Sequence, residues 1–307
     1  MEKPHGVLVM AYGTPKNMEE VPAYYTHIRG GRPPSRELLE ELEGRYRAIG
    51  GHSPLHEITR AQAKGIEDAL REDGEGRYKV YLGMKHTAPF IEDAVDEMRE
   101  DGIERAAALV LAPHYSKMSV GSYFERVRSH NADKKPEFHF IDHWHAEEDF
   151  LDFAAQRVEK ALQEFPKEVR DDVRVVFSAH SLPARILREG DPYADQLHET
   201  GDLIARRLGL RHWLFGWQSA GRTDDEWLGP DIREVIKELR RDGHGHVLLC
   251  PVGFVADHLE VLYDVDIEAQ ALAKDLDLVL HRTESPNADP AFTHALAGVV
   301  RRRLQQP

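Results

Sequence analysis

The sequence predicts an α/β fold made of two similar halves, each a four-stranded parallel sheet flanked by helices. Three observations predict it: eight short apolar, β-branched runs, segments of helical spacing between them, and a distant internal repeat. The runs occupy 7–11, 78–83, 106–112 and 138–141 in the first half, and 173–179, 213–217, 247–252 and 278–280 in the second. Between them, Ile91, Val95 and Met98, or Phe150, Phe153, Ala154, Val158 and Leu162, recur as one face of a helix does. The boundary is expected inside a long helix at 146–165. The first domain is then 1–155, completed by a C-terminal helix at 286–307, and the second is 156–285.

The repeat is carried by turns. The first strand of half one runs into Tyr12-Gly-Thr-Pro15 and that of half two into His180-Ser-Leu-Pro183, so Tyr12 and His180 hold equivalent positions. The third strands match as well, in Leu111-Ala-Pro113 and Leu249-Cys-Pro251. Pro15 to Pro113 spans 98 positions whereas Pro183 to Pro251 spans 68, which places an insertion in half one at 16–57. Ligands of open α/β sheets sit beyond the carboxyl ends of the strands. Two such halves would present Tyr12 and His180 to opposite sides of one cleft, with the insertion as its cover.

The chain has 307 residues, 40 Lys+Arg and 54 Asp+Glu, a net charge of −14. A general polyanion-binding surface is not expected, so nucleic acid is excluded as a partner and an anionic substrate must be met by a local cluster. The single cysteine, Cys250, excludes an intrachain disulfide framework, a four-thiolate zinc site and a cysteine-ligated iron–sulfur cluster. No run of about 18 apolar residues and no signal h-region is seen, so the protein is expected to be cytoplasmic, without a membrane span.

His180 at a strand's carboxyl end is placed to work as a base or metal ligand, or is a turn histidine with satisfied nitrogens; spacing alone leaves both open. A second cluster adds weight. Asp257, Glu260, Asp264 and Glu268 are spaced 3, 4 and 4, which one helix would stack on one face. Such a stripe is often only a solvated surface, but here it leaves a buried-looking strand among apolar residues. Partly buried carboxylates need a cation, a metal or protons in transit. Imidazole with carboxylate suits borderline metals such as Fe(II), Zn or Co, whereas an all-oxygen set at the outer end, Asp264 and Glu268, suits Mg or Ca.

The G-x-G-x-x-G and Walker phosphate loops, H-E-x-x-H and G-x-S-x-G are all absent, so no nucleotide cofactor is expected. His139, His143 and His145 read as a surface turn, and Met118, Val120, Tyr123 and Phe124 as helix packing, with Tyr123 in reach of a ligand. In the insertion, Tyr24, Tyr25, Arg29 and Arg32, then Arg45 and Tyr46, combine guanidinium groups with flat rings. That combination suits a planar aromatic ligand bearing carboxylates, or a solvated lid.

The run Val176-Phe-Ser-Ala-His180-Ser-Leu-Pro183, continuing to Tyr193, resembles the ferrochelatase signature. Gly253-Phe-Val-Ala-Asp-His-Leu-Glu260-Val-Leu-Tyr-Asp264 resembles that family's second metal-facing motif. Met10 to Pro15, Tyr24 to Arg29, Arg45-Tyr46, Gly50 to Leu55, Gly83 to His86, Leu111 to Ser116, Gly216 to Ser219 and Trp227 to Asp231 match in order. Within the family the chain is similar to the soluble, monomeric, cluster-free type of Gram-positive bacteria that acts on coproporphyrin III.

This resemblance implies two Rossmann-like domains with a porphyrin cleft between them, and ATP-independent insertion of Fe(II) by ring distortion, pyrrole deprotonation and metal delivery, giving coprohaem. It implies that His180 and Glu260 bind the ferrous ion and that Tyr12 is an axial ligand to the product iron. Arg29, Arg45, Tyr46, Ser53, Lys85, His86, Tyr123 and Trp227 are implied around the tetrapyrrole. Asp264 and Glu268 would continue as an outer metal or proton-relay stripe, a candidate for Mg(II), on a helix partly of the wide π type. A downstream coprohaem decarboxylase is a candidate transient partner. The competing readings are a protoporphyrin IX ferrochelatase, a cobalt or nickel chelatase, and a non-catalytic haem or coprohaem carrier.

Overall fold

A computed structural model describes residues 3–72, 74, 76–221 and 223–305. The chain divides into two compact units. The first holds the chain up to Trp144, Ala256–Leu259 and the chain from Asn287 on; the second holds His145–Val255 and Glu260–Pro286.

In the first unit, β1 (His5–Ala11), β2 (Tyr78–Met84), β3 (Arg105–Val110) and β4 (Glu137–Ile141) form an all-parallel sheet in the order β2-β1-β3-β4. The central strands β1 and β3 are buried on both faces, which is why they read as unbroken apolar runs rather than alternating ones. Helices α1 (Val21–Ile28) and α2 (Arg36–Ala48) lie in the insertion, followed by α3 (Leu55–Arg71), α4 (Ile91–Glu100) and α5 (Val120–His130). Leu8, Met10, Ile91, Val95, Met98, Phe124 and Val127 form one core cluster at 1% exposure or less. Each such side chain contributes about 1.5–3 kcal/mol.

The second unit repeats the plan. Its strands β5 (Arg174–His180), β6 (Trp213–Gln218), β7 (His246–Cys250) and β8 (Val279–Arg282) are parallel in the order β6-β5-β7-β8. Thus β1 and β5 hold the same place in their sheets, and Tyr12 follows the last residue of one while His180 is the last residue of the other. The helices are α6 (Glu148–Leu162), α7 (Arg185–Arg188), α8 (Tyr193–Leu208), α9 (Ile232–Arg241), α10 (Leu259–Leu262) and α11 (Gln270–Asp275); α10 begins in the first unit at Leu259. Between α10 and α11, Asp264–Ala269 is a π-helix, in which the Glu268 amide donates to the Tyr263 carbonyl five residues back. The last helix, α12 (Pro290–Gln305), belongs to the first unit; positions 306 and 307 of the helix expected at 286–307 lie outside the described residues.

Two expectations change. The division falls between Trp144 and His145, before α6 rather than at residue 155 within it, because Leu151, Ala155, Val158 and Ala161 of α6 pack into the core of the second sheet. The four-carboxylate stripe loses its first member. Asp257 precedes α10, where its amide donates to Asn287 Oδ1 at 2.8 Å and its carboxylate accepts from Asn287 Nδ2 at 2.9 Å. Among the described residues no helix is long and apolar enough to cross a membrane.

Candidate active site

In the second unit the site begins with β5. Its carboxyl end is held from both sides. The Gly253 amide donates to the Ser178 carbonyl at 3.1 Å, and the Ser181 amide donates to the Gln218 carbonyl at 2.7 Å. A Cβ on Gly253 would lie 2.4 Å from the Cβ of Ala179, so only glycine lets the 251–255 loop approach β5 this closely. Beyond His180 the chain pairs with the segment at Trp227. Ala184 donates to the Glu226 carbonyl and Leu228 to the Leu182 carbonyl, while Ser181 Oγ donates to the Leu228 carbonyl at 2.8 Å. Tyr193 donates its hydroxyl to the His180 carbonyl at 3.0 Å.

These bonds settle the imidazole. His180 Nδ1 faces the Ser181 carbonyl, which can only accept, so Nδ1 carries a proton and the neutral ring keeps its lone pair on Nε2. Nε2 lies 3.5 Å from Oε1 of Glu260, the second residue of α10, and both side chains keep about a third of their surface accessible, at 33% and 34%. Burial pushes the imidazole pKa down, but the charge and hydrogen bond of Glu260, the Ser181 carbonyl and the charge of Asp264 outweigh it and raise it to about 9. Without metal the pair is therefore an imidazolium–carboxylate pair at neutral pH.

Further along, Asp264 is buried and accepts a hydrogen bond from Ser219 Oγ, with Ser219 held at a left-handed φ of 59° just past β6. Glu268, half-buried, lies one π-turn on. Arg233, bonded to Asp231 and facing the charges of Glu268 and Asp264, is held more firmly protonated, so a guanidinium is part of this acidic end. Asp266 points elsewhere, into a two-bond pair with Arg282 at 2.6 and 2.8 Å. Among the described residues no group of three or more His, Cys, Asp or Glu side chains is gathered to hold a metal ion. That applies equally to His139, whose Nε2 accepts from Arg105, and to His145, bonded to Glu199.

The first unit gathers a different set. Tyr12, 42% exposed, packs against His86 with ring centroids 4.5 Å apart, and His86 Nδ1 lies 3.0 Å from His27 Nδ1. Burial, aided by the charges of Lys85, His27 and Arg126, pushes the His86 pKa down to about 3, so the ring is neutral. Lys85 donates to Ser122 Oγ at 2.6 Å and sits 5.0 Å over the Tyr123 ring; burial and Arg126 lower its pKa. Tyr123, Tyr46 and Ser53 are buried, with Tyr46 at 3.2 Å from Thr14 Oγ1 and Ser53 Oγ accepting from the Leu55 amide. Burial raises the Tyr123 pKa, so it stays a neutral phenol. Of the two arginines, Arg29 follows α1 with its guanidinium over the Tyr25 ring, and Arg45 pairs with Glu41 on α2. In the second unit Trp227 donates from Nε1 to Thr223 and pairs with Pro183 in the loop after His180.

Gln218 and Ser178 lie inside the matched motifs, where the sequence assigns them no task, and nothing in the sequence pairs His27 with His86. The strand pattern held a signal for the first, since Gln218 is a polar residue at the end of an apolar strand, in register with His180.

Residues 4–304 match the ferrochelatase family model. The chain belongs to the ferrochelatase family. Among curated ferrochelatases, the coproporphyrin III ferrochelatase of Geobacillus sp. (strain WCH70) is 48% identical over 99% of both chains. The ferrochelatase of Deinococcus radiodurans is 47% identical over 99% of this chain and 98% of its own. Among solved structures, SirB from Bacillus subtilis with Fe3+ superposes with a TM-score of 0.62 over 98% of this chain and 96% of its own; at 13% identity it supports the ferrochelatase fold alone.

Proposed function

We propose that the protein inserts Fe(II) into coproporphyrin III, giving coprohaem. The observation that carries this reading is the approach of His180 Nε2 to Glu260 at 3.5 Å, with Nδ1 held by the Ser181 carbonyl so that Nε2 is the nitrogen a metal ion reaches by displacing its proton. Full-length relatives named for this reaction support the substrate. A nitrogen and an oxygen donor suit ferrous iron, and two protein donors fall short of the four that hold a resident ion, so a ferrous ion received here can be passed on.

Metallation requires that Fe(II) lose water and that two pyrrole N–H protons leave as the four ring nitrogens bind it; no step calls for ATP. Binding energy from the rest of the macrocycle bends the ring so that nitrogen lone pairs face the ion. His180 and Glu260 receive the ion or the pyrrole protons. Asp264 and Glu268, balanced by Arg233, carry the outgoing protons or hold an outer divalent ion such as Mg(II). Tyr12, the exposed phenol at the equivalent position of the first sheet, would bind the product iron. Anaerobic Fe(II) mixed with coproporphyrin III and the purified protein should show multiple-turnover metallation in the visible spectrum; coprohaem binding without turnover would make the protein a carrier.

The folded-state pKa of His180 lies above the ordinary imidazole value of 6.5, so its pairing with Glu260 stabilises the protein fully below pH 6.5 and is lost as pH rises through about 9. The melting temperature of metal-free protein should fall across that window, and Glu260→Gln should flatten the fall; an unchanged profile in the variant would refute the pairing. The same variant should weaken the iron dependence of turnover. Arg29 and Arg45 are the candidates for the propionates, since coproporphyrin carries four and protoporphyrin two. Arg29→Ala should cut kcat/KM for coproporphyrin about tenfold, one charged hydrogen bond, and for protoporphyrin less. Equal losses on both porphyrins would remove Arg29 from specificity.

A further inference from the structure

We propose that Gln218 is a positioning residue that sets the approach of His180 to Glu260 and thereby the affinity of the pair for ferrous iron; this rests on the reading that the pair receives the metal. Gln218 ends β6 directly in register with His180 at the end of β5. Its side chain is 1% exposed, and both ends of the amide are used. Oε1 accepts from Ser178 Oγ at 3.0 Å, on the strand that carries His180. Nε2 donates to the main-chain carbonyl of Glu260 at 3.2 Å, on the helix that carries the carboxylate. The main-chain carbonyl of Gln218 accepts from Ser181 at 2.7 Å, the residue whose own carbonyl holds His180 Nδ1. One buried residue thus touches the His180 strand, the loop that fixes the imidazole tautomer and the helix that presents Glu260.

The amide is suited to this because it pairs an acceptor with a donor in one rigid plane. The serine hydroxyl, by donating to Oε1, fixes which way the amide faces and so aims Nε2 at Glu260. A glutamate at this position would keep the bond from Ser178 and lose the donor, leaving two oxygens facing each other at the Glu260 carbonyl; methionine would keep the volume and lose both bonds. The Ser181 bond uses main chain and survives either change, so these variants report on the side chain alone.

Partners that orient metal ligands in this way are worth about 10–100-fold in metal affinity. Gln218→Met is therefore expected to raise the KM for Fe(II) about 10–100-fold, with the KM for coproporphyrin III within about twofold of the parent. Ser178→Ala, which removes only the bond that orients the amide, should raise the iron KM by a smaller factor in the same direction. A folded Gln218→Met with an unchanged iron KM, or with both substrate KM values raised together, would overturn the proposal. Should Gln218→Met fail to fold, an unchanged iron KM in Ser178→Ala would do so instead. His180→Ala and Glu260→Gln in the same assay separate the two levels. If both retain turnover, the reading of the site is wrong; if both lose it while Gln218→Met behaves as the parent, only the role of Gln218 falls.

Discussion

His180→Ala is expected to lower the turnover of ferrous iron insertion about 10²–10⁴-fold, the range spanned by loss of a positioned proton-transfer group, while coproporphyrin III still binds. The reason is local. The substitution removes Nε2, the ring nitrogen that lies 3.5 Å from Glu260, and leaves the backbone of the turn untouched. That turn is held by main-chain bonds from Ser181 to Gln218, Leu228 to Leu182 and Ala184 to Glu226, none of which involves the imidazole. Porphyrin affinity, followed by quenching of porphyrin fluorescence, should therefore be near normal. Near-normal turnover in the variant would strike His180 from the mechanism, and lost porphyrin affinity would mean that the imidazole serves the macrocycle rather than the metal.

Gly253→Ala should combine a stability loss with a larger loss of activity. The added methyl would lie 2.4 Å from the Cβ and 2.9 Å from the Cα of Ala179, so β5 or the 251–255 loop must move. Overpacking of this kind costs about 1–3 kcal/mol. Ala179 adjoins His180, and the loop leads through Asp257 to Glu260, so the displacement is passed to both members of the pair. A shift of about 1 Å at a reacting group costs on the order of 10²-fold in rate. Gly245→Ala is the control, because nothing lies within 4 Å of a Cβ there. Gly253→Ala with the melting temperature and turnover of the parent would show that the loop has room that its glycine does not use.

Much of the fold was legible because it is written in short-range patterns. All eight strands lie where apolar, β-branched runs occur, and the repeat of Tyr12-Gly-Thr-Pro15 against His180-Ser-Leu-Pro183 anticipated that β1 and β5 occupy equivalent places in two sheets of the same order. The domain division was misjudged by about one helix, since α6 is amphipathic whichever core it joins and only contact with Val173, Val175 and Phe177 assigns it to the second. The carboxylate stripe was half legible. Glu260 lies in α10 and Asp264 and Glu268 in the π-helix that follows, but nothing local announced that Asp257 would precede the helix and pair with Asn287.

The sequence by itself determined the kind of molecule: two parallel α/β sheets, a histidine and a tyrosine at the ends of matched central strands, and a chain of the ferrochelatase family. Only the tertiary structure decided that Nε2 of His180 meets Glu260 at 3.5 Å, that Nδ1 is the protonated nitrogen, and that Gln218 joins the two segments. The physical reason is the range of the forces. Periodicity and turn chemistry act over a few residues and survive in the linear chain, whereas a tautomer, a raised pKa and a distance between distant residues exist only once separate strands and loops share one buried hydrogen-bond network.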